Sequence, residues 1–249
     1  MKTISQPLNA EAFEPYIKQY VAPLGILNEH QQQLAGAYLA LVHKQNQVMN
    51  LTAITDPKEM VLLHLLDSLS LVDPVQKVLN GCAKRVLDIG SGAGFPGIPL
   101  KLSLPEIEIT LLDSLNKRIK FLEQVAKDLQ LPGVSAVHSR AEDFAKNERA
   151  SFDIVTARAV ARLHTLLEYM LPLTRLGGYC IALKGSHVEE EVTEAQTALR
   201  ILGGKIEQII KLELPEGAGT RALVVIKKIK DTPKRYPRSQ NQARKDPLI

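Results

Sequence analysis

The fold of this 249-residue chain is decided by residues 86–97, which read VLDIGSGAGFPG. An apolar run that carries one aspartate is followed by glycines at positions 90, 92, 94 and 97. Glycine lets a backbone come close to a ligand where a Cβ atom would collide. A tight turn rarely needs four glycines in eight residues, so the stretch predicts a strand that runs into a nucleotide-binding loop.

Short apolar runs continue along the chain after this loop. They predict strands at 85–90, 107–113, 134–138, 152–157 and 179–184, with helices near 116–129, 162–174 and 187–201. Alternating strands and helices predict a doubly wound, mostly parallel α/β sheet that is covered on both faces. Two further runs, 205–214 and 221–229, are joined by Gly217-Ala218-Gly219 without a helix, which predicts an antiparallel C-terminal hairpin.

The part of the chain before the sheet has helical periodicity from residue 10 to about 75. Asn28 with Gln31, and Asp56-Pro57 with Glu59, are helix-start patterns. We therefore predict an N-terminal helical cap over 1–80, a sheet domain over 81–230 and a C-terminal tail over 231–249. In the cap, His64, Asp67 and Ser68 share one helix face at i, i+3 and i+4, and we expect that face to point at the sheet domain.

Charge is distributed unevenly along the chain. The formal net charge is +4, but residues 227–249 alone carry eight Lys or Arg against two Asp, a net charge of +6. The first 226 residues are therefore slightly acidic, at −2. Such a tail is typical of contact with a polyanion, although a solvated, solubilising terminus has the same composition.

Composition excludes several classes of protein. With 45% apolar residues the chain can bury a core, and with 4% aromatic residues and no Trp it lacks stacking platforms for single strands. The two cysteines, Cys82 and Cys180, have neither CxxC nor metal-ligand spacing, so no metal site is expected. We find no pattern of a leader or membrane span, and expect a cytoplasmic protein.

Two ligands are compatible with the glycine loop. Residues 92–97 satisfy the GxGxxG pattern and Asp113 follows 21 residues after Gly92, as in dinucleotide-binding proteins. However, Pro96 removes an N–H that a pyrophosphate would use, and Asp88 would repel that group. An acidic strand end suits a ligand with an ammonium and a sulfonium. The pattern therefore favours S-adenosyl-L-methionine, with Asp88, Gly90, Gly92 and Gly94 at the loop.

Two later strand ends fit the same ligand. Asp113 ends the second strand, where its carboxylate could accept hydrogen bonds from two ribose hydroxyls; an N-cap role is compatible with this. After the third strand, Ala141 and Glu142 could read the edge of an adenine with an amide and a carboxylate.

Four stretches carry a family resemblance: residues 88–99 (DIGSGAGFPGIP), 64–69 (HLLDSL), 157–161 (ARAVA) and 184–185 (KG). Together they resemble the bacterial small-subunit rRNA guanine-N7 methyltransferases, formerly called glucose-inhibited division protein B. The resemblance implies a class I methyltransferase (Rossmann-like) sheet, S-adenosyl-L-methionine at Gly90, Phe95, Ala141, Glu142 and Arg158, and a 16S rRNA guanine as substrate. The tail departs from the family pattern, because residues 239–243 (SQNQA) replace its glycine- and proline-bearing link.

The residues after the fourth strand agree with N7 chemistry. Exocyclic amines need an Asn/Asp-Pro-Pro-aromatic loop and pyrimidine carbon 5 needs a cysteine, whereas residues 156–160 read TARAV. Guanine N7 has a lone pair and no proton, so it needs alignment more than a base. We predict Arg158 as the active-site residue, holding the cofactor carboxylate or guanine O6; a salt bridge to Asp153 or Glu142 is the alternative.

The predicted RNA surface combines the tail, the turn near Arg221 and the cap. Its candidate residues are His64, Lys184, Arg221, Lys234, Arg235 and Arg238. The expected partner is 16S rRNA, the small ribosomal subunit or an assembly intermediate, recognised through phosphate and shape. Two other functions stay open: a nicotinamide-dependent oxidoreductase, from the GxGxxG pattern, and a ribosome-assembly factor with a residual cofactor site.

Overall fold

The sheet has the predicted doubly wound form. The computed structural model describes residues 8–79, 85–239 and 241–249; the predicted domain boundary at 80/81 and Cys82 lie outside them. The strands run in the order β3-β2-β1-β4-β5-β7-β6. Their bounds are Arg85–Ile89 (β1), Glu108–Asp113 (β2), Val134–His138 (β3), Phe152–Arg158 (β4), Thr174–Lys184 (β5), Gly204–Glu213 (β6) and Thr220–Lys228 (β7).

Strands β1 to β5 pair in parallel, and β7 lies antiparallel to both β5 and β6. The antiparallel C-terminal hairpin is thereby confirmed, with a short 3-10 turn, Pro215–Gly217, inside its connection. Since β1 lies between β2 and β4, their carboxyl ends meet at one edge of the sheet. The order in which successive strands are added to the sheet reverses between β1 and β4, and open α/β sheets bind ligands at such a point.

Helices cover both faces of the sheet. Those of the cap are α1 (Glu14–Tyr20), α2 (Glu29–Met49), α3 (Pro57–Met60), a π-helical segment (Val61–Leu66), α4 (Asp67–Leu69) and α5 (Val72–Leu79). Those of the sheet region are α6 (Gly97–Ser103), α7 (Asn116–Asp128), α8 (Ala141–Phe144), α9 (Leu163–Met170), α10 (Val188–Glu194), α11 (Gln196–Leu202) and α12 (Gln242–Lys245). No helix of the described residues is long and apolar enough to cross a membrane.

Two helices of the cap begin where the sequence predicts, and the cap packs on the sheet. Asn28 and Gln31 form a reciprocal capping box at the start of α2, and the Asp56 side chain accepts from the Glu59 amide. Buried cap residues such as Leu39 and Leu65 belong to the same hydrophobic cluster as Val86 of β1. A second cluster fills the opposite face, under α9 and α11. The cap and one face of the sheet thus share one core.

Two sequence-based bounds were wrong near the fifth strand. The helix predicted at 162–174 ends at Met170, and β5 begins at Thr174 instead of residue 179. Gly177 and Gly178 interrupt the apolar run that marks the strand; Gly177 has φ +76°, and a Cβ at Gly178 would lie 2.7 Å from Asp153 O. The helix predicted at 187–201 is two helices, α10 and α11, on either side of Ala195.

Candidate functional site

A cavity of about 440 Å³ opens at the carboxyl ends of the central strands. We call it the first cavity. It is lined by Gly90 after β1, Asp113 at the end of β2, Ala141 and Glu142 after β3, and Arg158, Ala159 and Val160 at the end of β4. The structure therefore brings five of the predicted cofactor residues to one place, although they come from four separate strand ends.

The glycine loop approaches the first cavity through Gly90. The N–H groups of Gly90 and Ser91 both donate to the Leu112 carbonyl, at 2.7 and 3.1 Å, which ties the loop to β2. Gly90 has φ +69°, and a Cβ atom there would lie 2.8 Å from Cγ2 of Val160. Position 90 thus needs glycine both for its backbone conformation and for the space beside Val160.

Gly94 and Phe95 face the cap instead of the first cavity. A Cβ at Gly94 would meet the Tyr38 hydroxyl at 2.8 Å, and that hydroxyl donates to the Ala93 carbonyl at 2.9 Å. The Phe95 ring is buried, with its centroid 5.0 Å from that of Tyr38 and 4.8 Å from that of His64. Helix α2 therefore packs against the side of the glycine loop that faces away from the first cavity. Neither Gly94 nor Phe95 lines that cavity.

Asp88 lies beneath the loop. Its side chain is fully buried, its Oδ2 accepts from the Gly97 N–H at 3.1 Å, and its Oδ1 has no hydrogen-bond partner among the described residues. Burial raises the pKa of this carboxyl to about 7, although the Gly97 amide opposes the shift. The structure does not bring Asp88 into the lining of the first cavity, so any effect on a ligand there acts through the loop or through its charge.

Asp113 reaches both the loop and the first cavity. Its Oδ2 accepts from Gly92 N–H at 3.0 Å and from Arg118 Nη1 at 3.2 Å, and its Oδ1 accepts from Leu115 N–H at 2.9 Å. The N-cap residue of α7 is Leu115, and no side chain caps this helix, so the predicted N-cap role of Asp113 was wrong; its bond to Leu115 lies just before the helix. Each carboxylate oxygen has more than one acceptor direction, so these bonds leave the carboxylate able to accept from a ligand hydroxyl.

Glu142 supplies an unsatisfied acceptor at the other end of the first cavity. Its side chain is 7% exposed, and its Oε1 has no hydrogen-bond partner among the described residues, although Arg140 Nη1 lies 3.9 Å away. An unpaired buried carboxylate oxygen is costly, and a ligand N–H group would satisfy it.

Arg158 connects the sheet to the cap. Its Nη1 donates to Asp67 Oδ2 at 2.9 Å and to the Leu63 carbonyl at 3.0 Å, while its guanidinium lies over the Phe95 ring at 5.2 Å. The salt bridge considered from sequence, to Asp153 or Glu142, was wrong in its partner. Asp153 instead accepts from Arg175 Nε at 2.5 Å. The carbonyl of Leu63 is in the π-helical segment, a distortion often found at functional sites.

A second cavity, of about 620 Å³, lies between the cap and the sheet. Its lining includes His64, Asp67, Lys184 and Arg221. It also includes Arg158, Ala159 and Val160, so both cavities share this short loop. Asp67 Oδ1 has no partner with hydrogen-bond geometry among the described residues, and Arg221 Nε lies 3.3 Å from it.

His64 is an uncharged member of the second cavity. Burial, and secondarily the Arg158 charge, lower the pKa of its imidazole to about 4. Its Nε2 lies 2.8 Å from the Thr52 hydroxyl. At neutral pH this histidine is neutral, and as an RNA contact it would bind through hydrogen bonds. The third member of the predicted face, Ser68, donates to the His64 carbonyl at 2.6 Å.

The predicted RNA-binding cations lie in different settings. The Lys184 side chain is 7% exposed and lies 2.7 Å from Glu191, and burial lowers the pKa of its ammonium. Arg238 is bound to Glu168, whose carboxylate raises the pKa of the guanidinium. Lys234 and Arg235 are exposed.

Among the residues of the first cavity that the sequence did not indicate are Tyr169 of α9, and Asn241 and Arg244 of the tail. The tail therefore turns back over the sheet edge. No local pattern could have found this path, because the contacts that fix it join residues far apart in the sequence. No cluster of potential metal-ligating side chains occurs in the described parts of the chain.

Known proteins are similar to this chain over most of its length. A family model described as rRNA small subunit methyltransferase G matches residues 31–224. A Staphylococcus saprophyticus protein named ribosomal RNA small subunit methyltransferase G is 47% identical over 238 residues, which is 94% of this chain and 98% of that protein. One of the same name from Lactobacillus johnsonii is 43% identical, over 97% of this chain and 100% of its own length.

The fold also occurs among more distant structures. A putative transferase from Pyrococcus horikoshii superimposes with a TM-score of 0.50 at 17% identity, over 66% of this chain and 64% of its own. At that identity the likeness concerns the fold alone. The strand order and this likeness confirm the predicted class I methyltransferase fold.

Proposed function

The chain belongs to the rRNA small subunit methyltransferase G family, and on that basis we propose that it transfers a methyl group from S-adenosyl-L-methionine to N7 of a guanine in 16S rRNA. The observation that carries the proposal is the loop Arg158-Ala159-Val160, which lines both cavities. A cofactor in the first cavity and a base in the second would meet at this loop, as direct transfer between them requires.

The first cavity has the chemistry that S-adenosyl-L-methionine needs. Asp113 would accept from the ribose hydroxyls, and the orphaned Glu142 Oε1, with the Ala141 amide, would bind the edge of the adenine. Gly90 would pass under the ligand, where a Cβ would crowd Val160. When bound, the cofactor supplies a methyl carbon made electrophilic by its sulfonium. We assign Asp88, Gly92, Gly94 and Phe95 the task of shaping the loop beneath it.

The second cavity suits a guanine. Arg158 and Arg221 can donate to O6, and Asp67 Oδ1 can accept from the N1 and N2 groups of the base. N7 carries a lone pair and no proton, so it would take the methyl carbon, with loss of the carbon–sulfur bond, without the help of a base. The neutral His64 fits this requirement, because the reaction needs orientation and no proton acceptor.

The exposed cations Lys234 and Arg235 are the tail residues that we propose for RNA phosphates. Lys184 and Arg238 are held by buried or half-buried carboxylates, which favours a supporting role in shaping that surface. The small ribosomal subunit, or a precursor of it, is the proposed partner, in the cytoplasm.

Methyl transfer in vitro tests the proposal. The purified chain is incubated with methyl-labelled S-adenosyl-L-methionine and either naked 16S rRNA or 30S particles, and the RNA is digested to nucleosides. We expect label in 7-methylguanosine, and much less with Arg158→Ala. Label in another nucleoside would contradict the N7 assignment. No transfer by either form, with ribosome binding intact in both, would favour an assembly factor, and binding of NAD in place of the sulfonium cofactor would favour an oxidoreductase.

A further inference from the structure

The end of the tail contributes residues to the lining of the first cavity. We call residues 236–239 and 241–246 the C-terminal strap. The strap is anchored by an ion pair between Arg238 and Glu168 of α9, whose side chain is 1% exposed. Glu168 accepts from Arg238 Nε at 2.9 Å, from its Nη2 at 2.7 Å and from its backbone N–H at 2.7 Å. A carboxylate buried this deeply needs its partner, so the anchor is strong.

Further contacts hold the strap along its length. Arg149 donates to the Tyr236 carbonyl at 2.7 Å and to the Thr232 carbonyl just before it at 2.6 Å. Ala243 is fully buried in the second hydrophobic cluster, and its carbonyl accepts from the Thr165 hydroxyl at 3.2 Å. A merely solvated terminus would not bury an alanine or accept several hydrogen bonds from a half-buried arginine.

The anchored strap places two polar side chains at the first cavity. Asn241 has φ +58° and accepts from Arg140 Nη1 at 3.1 Å, beside the Glu142 end. Arg244 donates from Nη2 to the Val160 carbonyl at 2.9 Å, beside the loop shared by the two cavities. Left-handed backbone is tolerated by asparagine better than by most residues, which fits its use where the family pattern has a glycine-bearing link.

Charge distinguishes Arg244 from the other arginines of the first cavity. Arg118, Arg140 and Arg158 lie within 3.2, 3.9 and 2.9 Å of the carboxylates of Asp113, Glu142 and Asp67, respectively. Within the described ranges, Arg244 has no carboxylate at ion-pair distance; its guanidinium donates to the neutral Val160 carbonyl and contacts the Tyr169 hydroxyl. A guanidinium without an ion pair at a cavity mouth is suited to an anionic group of a ligand.

We propose that the C-terminal strap closes one side of the cofactor site, and that Arg244 binds the carboxylate of S-adenosyl-L-methionine. This inference rests on the proposed function, since the carboxylate is the anionic group of that cofactor. The strap then acts in cofactor binding before any RNA is present. Two pairs of cations in the tail then differ in role: Arg238 and Arg244 of the strap serve the cofactor site, and Lys234 and Arg235, which precede the strap, are exposed.

Titration calorimetry without RNA tests the inference. Wild type, Arg244→Ala and the control Lys245→Ala, which removes an adjacent exposed cation, are each titrated with S-adenosyl-L-methionine and with its decarboxylated analogue. We expect Arg244→Ala to weaken binding of the cofactor about tenfold, as for loss of a charged hydrogen bond. The same variant should bind the decarboxylated analogue within about twofold of wild type, and Lys245→Ala should match wild type with both ligands.

The ion pair between Arg238 and Glu168 provides a second test of the inference. The double variant Glu168→Gln with Arg238→Met removes the ion pair without leaving a buried charge, and the glutamine keeps an acceptor for the backbone N–H of residue 238. We expect this variant to lose cofactor affinity at least as strongly as Arg244→Ala while its far-ultraviolet circular dichroism stays unchanged.

The outcomes separate the two proposals. Wild-type cofactor affinity in Arg244→Ala, equal losses for both ligands, or an effect seen only on RNA affinity would each overturn the role of Arg244. Failure of the wild type itself to bind the sulfonium cofactor would instead overturn the proposed function.

Discussion

Replacement of Gly94 by alanine should destabilise the fold far more than the same replacement at Gly92. At Gly94 the new Cβ would lie 2.8 Å from Ile98 Cγ1, 2.8 Å from the Tyr38 hydroxyl and 2.9 Å from Leu122 Cδ2, where ordinary contacts begin at 3.4 Å. Overpacking of this kind costs about 1–3 kcal/mol. The backbone at Gly94 has φ +103°, which adds about 1–3 kcal/mol for a residue with a Cβ.

Gly92 is the matched control because it shares the loop and a positive φ. Its φ is +59°, and the nearest atom to a new Cβ is the Gly90 carbonyl oxygen at 3.9 Å. The only cost of alanine at this position is then that of a left-handed backbone, which lowers the free energy of unfolding by about 1–2 kcal/mol. We therefore expect Gly94→Ala to lower the free energy of unfolding by about 4 kcal/mol, and Gly92→Ala by about 1 kcal/mol.

Urea unfolding followed by far-ultraviolet circular dichroism measures both values, since the chain has no Trp to report by fluorescence. In a thermal scan the two losses correspond to roughly 8–16 °C and 2–4 °C in Tm for a protein of this size. Equal losses, or a larger loss at Gly92, would refute the assignment of Gly94 to packing against the cap.

Three other outcomes follow from the site. First, the raised pKa of Asp88, about 7 against an ordinary value of 3.8, means that the folded protein holds this proton more tightly. The contribution of Asp88 to stability is full below about pH 4 and is lost as pH rises through 7. In urea titrations over that range, the free energy of unfolding of the wild type should fall by up to about 4 kcal/mol relative to Asp88→Asn. Parallel pH profiles of the two proteins would contradict this. Second, Arg158→Lys keeps the charge but not the paired contacts to Asp67 and Leu63, so single-turnover methyl transfer should slow by about 10–100-fold; an unchanged rate would exclude a positioning role. Third, Lys234→Ala with Arg235→Ala should lower the slope of log RNA affinity against log salt by about 1.5, and an unchanged slope would remove these two residues from the RNA surface.

Local sequence patterns were sufficient to predict most strands of the sheet. The strand at 134–138 was predicted with its observed bounds, and the hairpin followed from two apolar runs without a helix between them. Strands and capping boxes depend on residues close together in sequence, which is why such patterns reveal them. At β5 the same approach was wrong, because Gly177 and Gly178 continue a strand that their composition would end.

Long-range contacts of the site were beyond those patterns. Arg158 and Asp67 are 91 positions apart, and Arg238 and Glu168 are 70 apart. Their pairing depends on how the cap and the tail pack on the sheet, which no periodicity encodes. The sequence therefore indicated Arg158 and the strand-end residues of the first cavity, but the alternative salt bridge of Arg158 named the wrong carboxylates, and Asn241 and Arg244 were left out of the site.

Chemical mapping of 16S rRNA tests the central claim most directly. RNA from cells with and without this gene is treated with borohydride and aniline, which cleaves at 7-methylguanosine, and cleavage is located by primer extension. We expect one cleavage site that disappears without the gene and returns when the wild-type chain, but not Arg158→Ala, is supplied. The same cleavage pattern in both strains would contradict the assignment of this chain as the guanine-N7 methyltransferase.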